Sequence, residues 1–149
     1  GLGIAACCDL RLANDAATFA IPAAKLGLGY HPRWVRTLLT LAPPASVKEL
    51  LFTGRRFSAS EALQMGLVNR VHPAAALDAE TRMLADTIAA NAPMTIRAPK
   101  AAIDELTLKP ETADIAGLEA LVKACFESAD YAEGRKAFGE KRKPMFKGQ

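Results

Sequence analysis

An α/β fold, with its strands confined to the first half of the chain and a mostly helical second half, follows from three features of this 149-residue sequence. Short alternations of polar and apolar residues, bounded by turn residues, recur at 9–13, 18–21 and 67–71, and that is the period of a half-buried strand. From residue 77 onward the apolar residues return at helical spacing, punctuated by capping sequences and prolines. Half of the residues are hydrophobic and 23% are charged, which suits a packed core and excludes a disordered or fibrous chain. The expected boundary separates a strand-containing region, 1–72, from a helical region, 73–149, so that the chain is largely α.

Taken in order, the small apolar run 3–8 reads as a short buried helix entered through glycine. Asp9–Ala13 reads as a first strand, Asn14-Asp15 as a turn, and Thr18–Ile21 as a second strand stopped by Pro22. The segment Ala23–Pro32 holds two glycines and a proline beside Tyr30 and His31, the composition of a loop that presents side chains from a scaffold. Trp34, Val35, Leu38, Leu39 and Leu41 give the apolar face of a helix that Pro43-Pro44 ends, and a short helix follows over Ser46–Phe52. Ser58-Ala59-Ser60-Glu61 is a capping box, and the helix it opens closes at Gly66. Helices are then expected over 77–91, over 94–106 with a kink at Pro99, over 112–128, and over 131–142 behind the capping-like Asp130-Tyr131-Ala132-Glu133.

Charge is mild overall, 19 Lys and Arg against 16 Asp and Glu. It is uneven, because six of the basic residues and only two acids lie from Glu133 onward. A basic end on a near-neutral body suggests an anionic partner such as a phosphate or nucleotide. Three cysteines, two of them adjacent at Cys7 and Cys8, make neither a disulfide framework nor a spaced metal cluster. They point to a reducing compartment, the cytoplasm, with no metal. No apolar run reaches the roughly 18–20 residues of a membrane span, so no membrane partner is expected. The chain opens on Gly-Leu-Gly-Ile-Ala-Ala-Cys-Cys-Asp without Met; an apolar start of this kind leads to the expectation that it is the C-terminal part of a longer protein.

There is no P-loop, no G-x-G-x-x-G, no metal-ligand spacing and no G-x-S-x-G. Cys7 and Cys8, in an apolar run, read as packed core thiols, and His72, before Pro73, as a surface residue. Tyr30 and His31 are the side chains able to exchange protons from the glycine-rich loop, and they are the candidate catalytic residues.

Gly1-x-Gly3-x-x-x-x-Cys8-Asp9-Leu10-Arg11 and Phe19-x-x-Pro22-x-x-x-Leu26-Gly27 resemble the centre of the enoyl-CoA hydratase/isomerase (crotonase) superfamily. The resemblance continues through Phe52-Thr53-Gly54-Arg55-Arg56-Phe57-Ser58-Ala59-Ser60-Glu61-Ala62, Gly66–Val71 and Asn91-Ala92-Pro93. It ends in Ser128-x-Asp130-x-x-Glu133-Gly134-x-x-Ala137-Phe138-x-Glu140-Lys141-Arg142-Lys143-Pro144-x-Phe146. It implies a crotonase-like core of β-β-α units, with 73–149 as the helical region that forms homotrimers or hexamers. It implies an acyl-CoA substrate, a role in fatty acid metabolism and no separate cofactor, coenzyme A entering as part of the substrate. Two backbone N–H groups would form an oxyanion hole for a thioester enolate, one of them from the glycine run at or just before Gly1. The basic last helix would approach the CoA of a neighbouring subunit, with Phe138 and Lys141 as contacts to adenine and phosphate. That role accounts for the same charges an RNA site would need, so RNA is not an expected partner.

Hydratases of the family add water with two glutamates whose protonation states are set apart. Aligning on Cys8-Asp9 puts Gly3 at the first position, and aligning on Pro22 puts Ala23 at the second. Neither can move a proton, which argues against hydration, and Ala23 argues against isomerisation too. Gly1, Gly3, Ala23 and Gly29 would line the substrate and oxyanion region without acid–base chemistry. Leu26-Gly27-Leu28-Gly29-Tyr30 and the C-terminal motif resemble methylmalonyl-CoA decarboxylases. In such enzymes loss of CO₂ creates the enolate directly and a tyrosine would orient the departing carboxylate. The resemblance therefore implies an acyl-CoA-processing enzyme of the lyase or isomerase class acting through a thioester enolate, with a decarboxylase that uses Tyr30 as one alternative and a catalytically silent acyl-CoA-binding relative as another.

Overall fold

The computed structural model describes residues 1–149. Contacts divide it into two compact units, Gly1–Arg82 and Met83–Gln149. The division falls inside a helix, ten residues beyond the end of the last strand at His72.

In the first unit a short helix α1 (Leu2–Ala5) precedes strand β1 (Leu12–Asn14), which pairs in parallel with β4 (Arg70–His72), Asn14 lying opposite His72. Parallel neighbours need a long crossover. Here it carries β2 (Thr18–Phe19) and β3 (Phe57–Ser58), antiparallel to each other, and three helices, α2 (Pro32–Leu39), α3 (Pro44–Thr53) and α4 (Ala59–Gln64). The side chains at the centre of the core come from separate elements: Leu38 of α2, Leu50 of α3, Phe57 of β3 and Leu67 after α4 are all at most 1% exposed. Truncating such a side chain to alanine costs about 2–5 kcal/mol.

Arg11 pins this unit together. Its Nε donates to the Leu67 carbonyl at 2.7 Å, its Nη1 to the Cys8 carbonyl, and its backbone N–H to Asn69 Oδ1 at 2.8 Å, while the Asn69 N–H returns a bond to the Arg11 carbonyl at 2.8 Å. Burial pulls the Arg11 pKa down, opposed by the nearby Cys8 and Asp9. A buried guanidinium persists only when its donors are used, and these bonds tie the end of the α1 segment to the loop before β4. With the Arg11 backbone given to Asn69, β1 begins at Leu12 rather than at Asp9.

The capping box at Ser58 forms as expected: Ser58 Oγ accepts from the Glu61 N–H at 3.2 Å and Glu61 Oε2 accepts from the Ser58 N–H at 2.7 Å. Glu61 also pairs with Arg55 at 2.7 Å, and the Arg55 guanidinium lies 3.7 Å over the Phe57 ring. Gly66 ends the turn after α4 with φ +82°, and a Cβ there would lie 2.7 Å from the Leu41 carbonyl oxygen. Glycine is required twice over at this position, for the left-handed backbone and for the close approach. Helix α3 starts at Pro44, two residues before the expected Ser46, because a proline at the first helical position has no N–H to leave unsatisfied.

Two expectations about polar side chains are corrected. Cys7 and Cys8 are exposed, not packed; α1 is only four residues long with none of them buried, and the thiols lean back onto the carbonyls of Gly3 and Ile4. His72 is no surface residue either. It is half-buried opposite Asn14, and His72 Nε2 and Asn14 Oδ1 are both buried without a hydrogen-bond partner.

Helix α5 (Leu77–Ala89) spans the division. The second unit continues with α6 (Pro93–Leu108), α7 (Ile115–Glu127), α8 (Ala129–Gly139) and a tail to Gln149. Pro93 opens α6 and Pro99 lies inside it, where its ring nitrogen offers no hydrogen to the preceding turn. Asp114 caps α7 through the Gly117 N–H at 2.9 Å. Ser128 ends α7 and caps α8 through the Tyr131 N–H at 3.0 Å, so no loop separates the two helices. Ser128, not Asp130, is the cap, because the Asp130 carboxylate is occupied by the tail. No helix is long and apolar enough to cross a membrane.

Candidate functional site

The loop between β2 and α2 is built to hold two side chains. Ala23 is buried and precedes a single 3₁₀ turn, Ala24–Leu26, which Gly27 ends in the left-handed conformation at φ +64°. The chain then runs through the exposed Gly29 to Tyr30 and His31. His31 caps α2: its Nδ1 accepts from the Arg33 N–H at 3.2 Å, with Pro32 at the first helical position. In the neutral ring this bond leaves Nε2 as the protonated nitrogen and a donor.

Trp34 gathers both side chains. Tyr30 meets it edge to face with centroids 5.5 Å apart, and His31 lies tilted at 5.9 Å. His31, Arg33 and Trp34 line a shallow, open depression. Tyr30 packs against the same core cluster that holds Ala23 and Ala6, with Leu2 of α1 also against it. Burial pushes the Tyr30 phenol above its ordinary value, so at neutral pH it is a hydroxyl donor and not a base.

The glycines contribute space. A Cβ added at Gly1, Gly3 or Gly29 would meet nothing within 4 Å, so none of the three is explained by crowding within this chain. Gly3 and Ala23 present no group able to carry a proton. No three His, Cys, Asp or Glu side chains converge on a possible metal position.

In the second unit Phe138, on the last turn of α8, is 87% exposed. Lys141 follows at φ +54°, the one non-glycine residue of the chain with positive φ. Its N–H donates to the Phe138 carbonyl and that of Arg142 to the Ala137 carbonyl at 3.0 Å. This places a lysine where helices commonly end on glycine.

Sequence reasoning missed three participants. Trp34 was legible only as part of an apolar helix face, although its spacing of four from Tyr30 and three from His31 was available as a signal. Asp130 and Glu133 read as a capping sequence and prove to hold the tail.

A family model described as "Enoyl-CoA hydratase/isomerase" matches residues 1–149. Among curated relatives, the carnitinyl-CoA dehydratase of Proteus mirabilis (strain HI4320) is 39% identical over 153 residues, covering 100% of this chain and 59% of its own length. That of Salmonella typhi is 38% identical with the same coverage. Among solved structures, an enoyl-CoA hydratase/carnithine racemase from Magnetospirillum magneticum superposes with a TM-score of 0.88 at 37% identity, over 99% of this chain and 55% of that one. An enoyl-CoA hydratase from Bacillus anthracis gives 0.82 at 31% identity, over 100% and 58%. The chain thus spans about three fifths of the length of the curated relatives it matches. These matches do not bear out the expected placement of the chain as the C-terminal part of its relatives.

Proposed function

The chain belongs to the enoyl-CoA hydratase/isomerase family, and from that premise we propose that it acts on an acyl-CoA thioester by stabilising a thioester enolate, with Tyr30 orienting a departing carboxylate. The observation that carries this reading is the Tyr30 phenol, packed against Trp34 and raised above its ordinary pKa by burial; Ala23 of the same loop is read as standing where the family's hydratases carry a glutamate. A 2-carboxyacyl-CoA suits such a site. The bond from its carboxylate to C2 breaks, the electron pair enters the thioester as the enolate, CO₂ leaves, and a proton from water at C2 completes a shortened acyl-CoA. No general base is needed for that step, and preorganised N–H donors near Gly1 and Gly3 would meet the charge on the thioester oxygen. Coenzyme A enters with the substrate and no further cofactor takes part. Phe138 and Lys141 are read as contacts to its adenine and phosphate end, and 73–149 as the region through which copies of the chain associate into trimers or hexamers.

A second reading has its own support: the carnitinyl-CoA dehydratases at 38–39% identity are named for removal of water from an acyl-CoA. That chemistry requires a proton acceptor at C2, and His31 would serve there only with its Nδ1 released from the Arg33 N–H that it caps.

The two are separated by incubating the full-length protein with 2-carboxyacyl-, 3-hydroxyacyl- and 2-enoyl-CoAs and following product masses. Loss of CO₂ without gain or loss of water supports the Tyr30 reading. Interconversion of the 3-hydroxyacyl- and 2-enoyl-CoAs without decarboxylation replaces it with the dehydratase. No turnover with retained CoA binding identifies a silent relative.

A further inference from the structure

The tail beyond α8 doubles back along that helix and is held at two carboxylates one turn apart. Glu133 accepts both Nη1 and Nη2 of Arg142, at 2.6 and 2.9 Å, and the Met145 N–H at 3.0 Å. Asp130, 3% exposed, accepts the consecutive N–H groups of Lys147 and Gly148 at 2.7 and 2.8 Å, and its own N–H donates to the Gln149 carbonyl at 3.1 Å. Between them Phe146 lies against Gly134, where an added Cβ would come within 3.5 Å of its ring. The strap therefore runs from the C-terminal end of α8 to its N-terminal end.

The turn that the strap closes contains Lys141 in the left-handed conformation. A residue with a β-carbon adopts that conformation at a cost, and the surrounding structure must over-determine it. The neighbouring Arg142 supplies that constraint, fixed by Glu133 and by Glu140 at 2.6 Å. Glycine would relieve the strain but would remove the charge. Arg142 is spent on this internal contact, whereas Lys141, exposed and joined through its N–H to the carbonyl of the 87% exposed Phe138, takes no part in the clamp.

We propose that Asp130 and Glu133 are positioning residues, clamping the C-terminal strap so that Lys141 and Phe138 form one preorganised corner for the phosphorylated adenosine end of coenzyme A. This rests on the reading of Phe138 and Lys141 as CoA contacts given above. The clamp is closed at neutral pH, since the Arg142 guanidinium, aided by the Met145 N–H, holds the Glu133 carboxyl at about 2. Preorganisation enters affinity through the fraction of molecules in the competent state, so opening the clamp to about one competent molecule in ten weakens binding about tenfold without removing a single direct contact.

The test compares the full-length wild type with Glu133→Gln and Asp130→Asn, which act at opposite ends of the strap, so one remains informative if the other fails to fold. Equilibrium binding of coenzyme A and of an acyl-pantetheine, which lacks the nucleotide, is measured alongside tryptic cleavage after Arg142 and Lys147. The expected result is about tenfold weaker CoA binding, unchanged acyl-pantetheine binding and faster tail cleavage. A merely structural role would weaken both ligands together, and that result, or a freed tail with wild-type CoA affinity, overturns the proposal. Lys141→Gly and Phe138→Ala tell the underlying reading apart. If both bind CoA as the wild type does, the corner is not a nucleotide site and the positioning role falls with it; if they lose affinity while the two carboxylate variants do not, only the clamp is refuted.

Discussion

Tyr30 and Trp34 meet edge to face at 5.5 Å with their planes 63° apart, and this contact links the candidate catalytic loop to helix α2. Edge-to-face pairs of this kind contribute about 0.5–1.5 kcal/mol beyond the area they bury. Trp34 is itself 54% exposed, so its main structural service is to one side of the Tyr30 ring and of the His31 imidazole.

Replacing Trp34 with alanine is expected to lower stability by about 1 kcal/mol and to hydrate the Tyr30 phenol. Since desolvation is what raises the Tyr30 pKa, the value should move back toward 10. Ultraviolet titration of the phenol in wild type and variant reads the shift directly.

The pH dependence of a Tyr30-directed step follows from the same direction. With its pKa raised from 10.0, the phenol stays protonated through the neutral range and loses its donor proton only at alkaline pH. The rate attributable to Tyr30 should be flat through neutrality and fall above a pH of about 10. A pH–rate profile that falls near neutrality would show that the Tyr30 phenol is not the group that limits the step.

Gly66→Ala should be among the most damaging single changes in the first unit. It forces a β-carbon into φ +82° and to 2.7 Å from the Leu41 carbonyl, and backbone at both ends of that contact has no flexible side chain to give way. The expected loss exceeds about 1 kcal/mol, measured as a lower urea midpoint with unchanged slope.

Acid should weaken the α4 cap in a defined window. The Glu61 carboxyl is held at about 2 against an ordinary 4.5, first by the Ser58 N–H and then by Arg55. A depressed folded-state pKa gives stability that is full above 4.5 and disappears as pH falls toward 2. The difference in urea midpoint between wild type and Glu61→Gln should therefore shrink over that interval. Ser58→Ala, which removes the other half of the box, should cost about 0.5–2 kcal/mol at neutral pH.

Legibility in the sequence followed the range of the interactions. The Ser58–Glu61 box, the Gly66 stop and the prolines at the starts of α3 and α6 are set by residues within a few positions, and their chemistry is visible in the string. The pairing of β1 with β4 joins residues 58 apart in number, and no local period announces which of three short strands are partners. Arg11 looked like an alternating surface position because its four partners lie on Cys8, Leu67 and Asn69. Cys7 and Cys8 misled because an apolar run reads as core, whereas a four-residue helix leaves them exposed. Of the candidate site, the loop with Tyr30 and His31 was legible from its glycines and proline. The ring contact with Trp34 and the clamp at Asp130 and Glu133 depend on how helices end, which the sequence states only weakly.

The most direct test of the account is the rate of CO₂ release from a 2-carboxyacyl-CoA by the full-length protein and by its Tyr30→Phe variant, with folding checked by circular dichroism. The account predicts decarboxylation by the wild type and a loss of about 10²-fold in the variant, the size of effect seen when a single preorganised donor is removed. An unchanged rate in Tyr30→Phe, or a wild type that interconverts 3-hydroxyacyl- and 2-enoyl-CoAs and releases no CO₂, would contradict it.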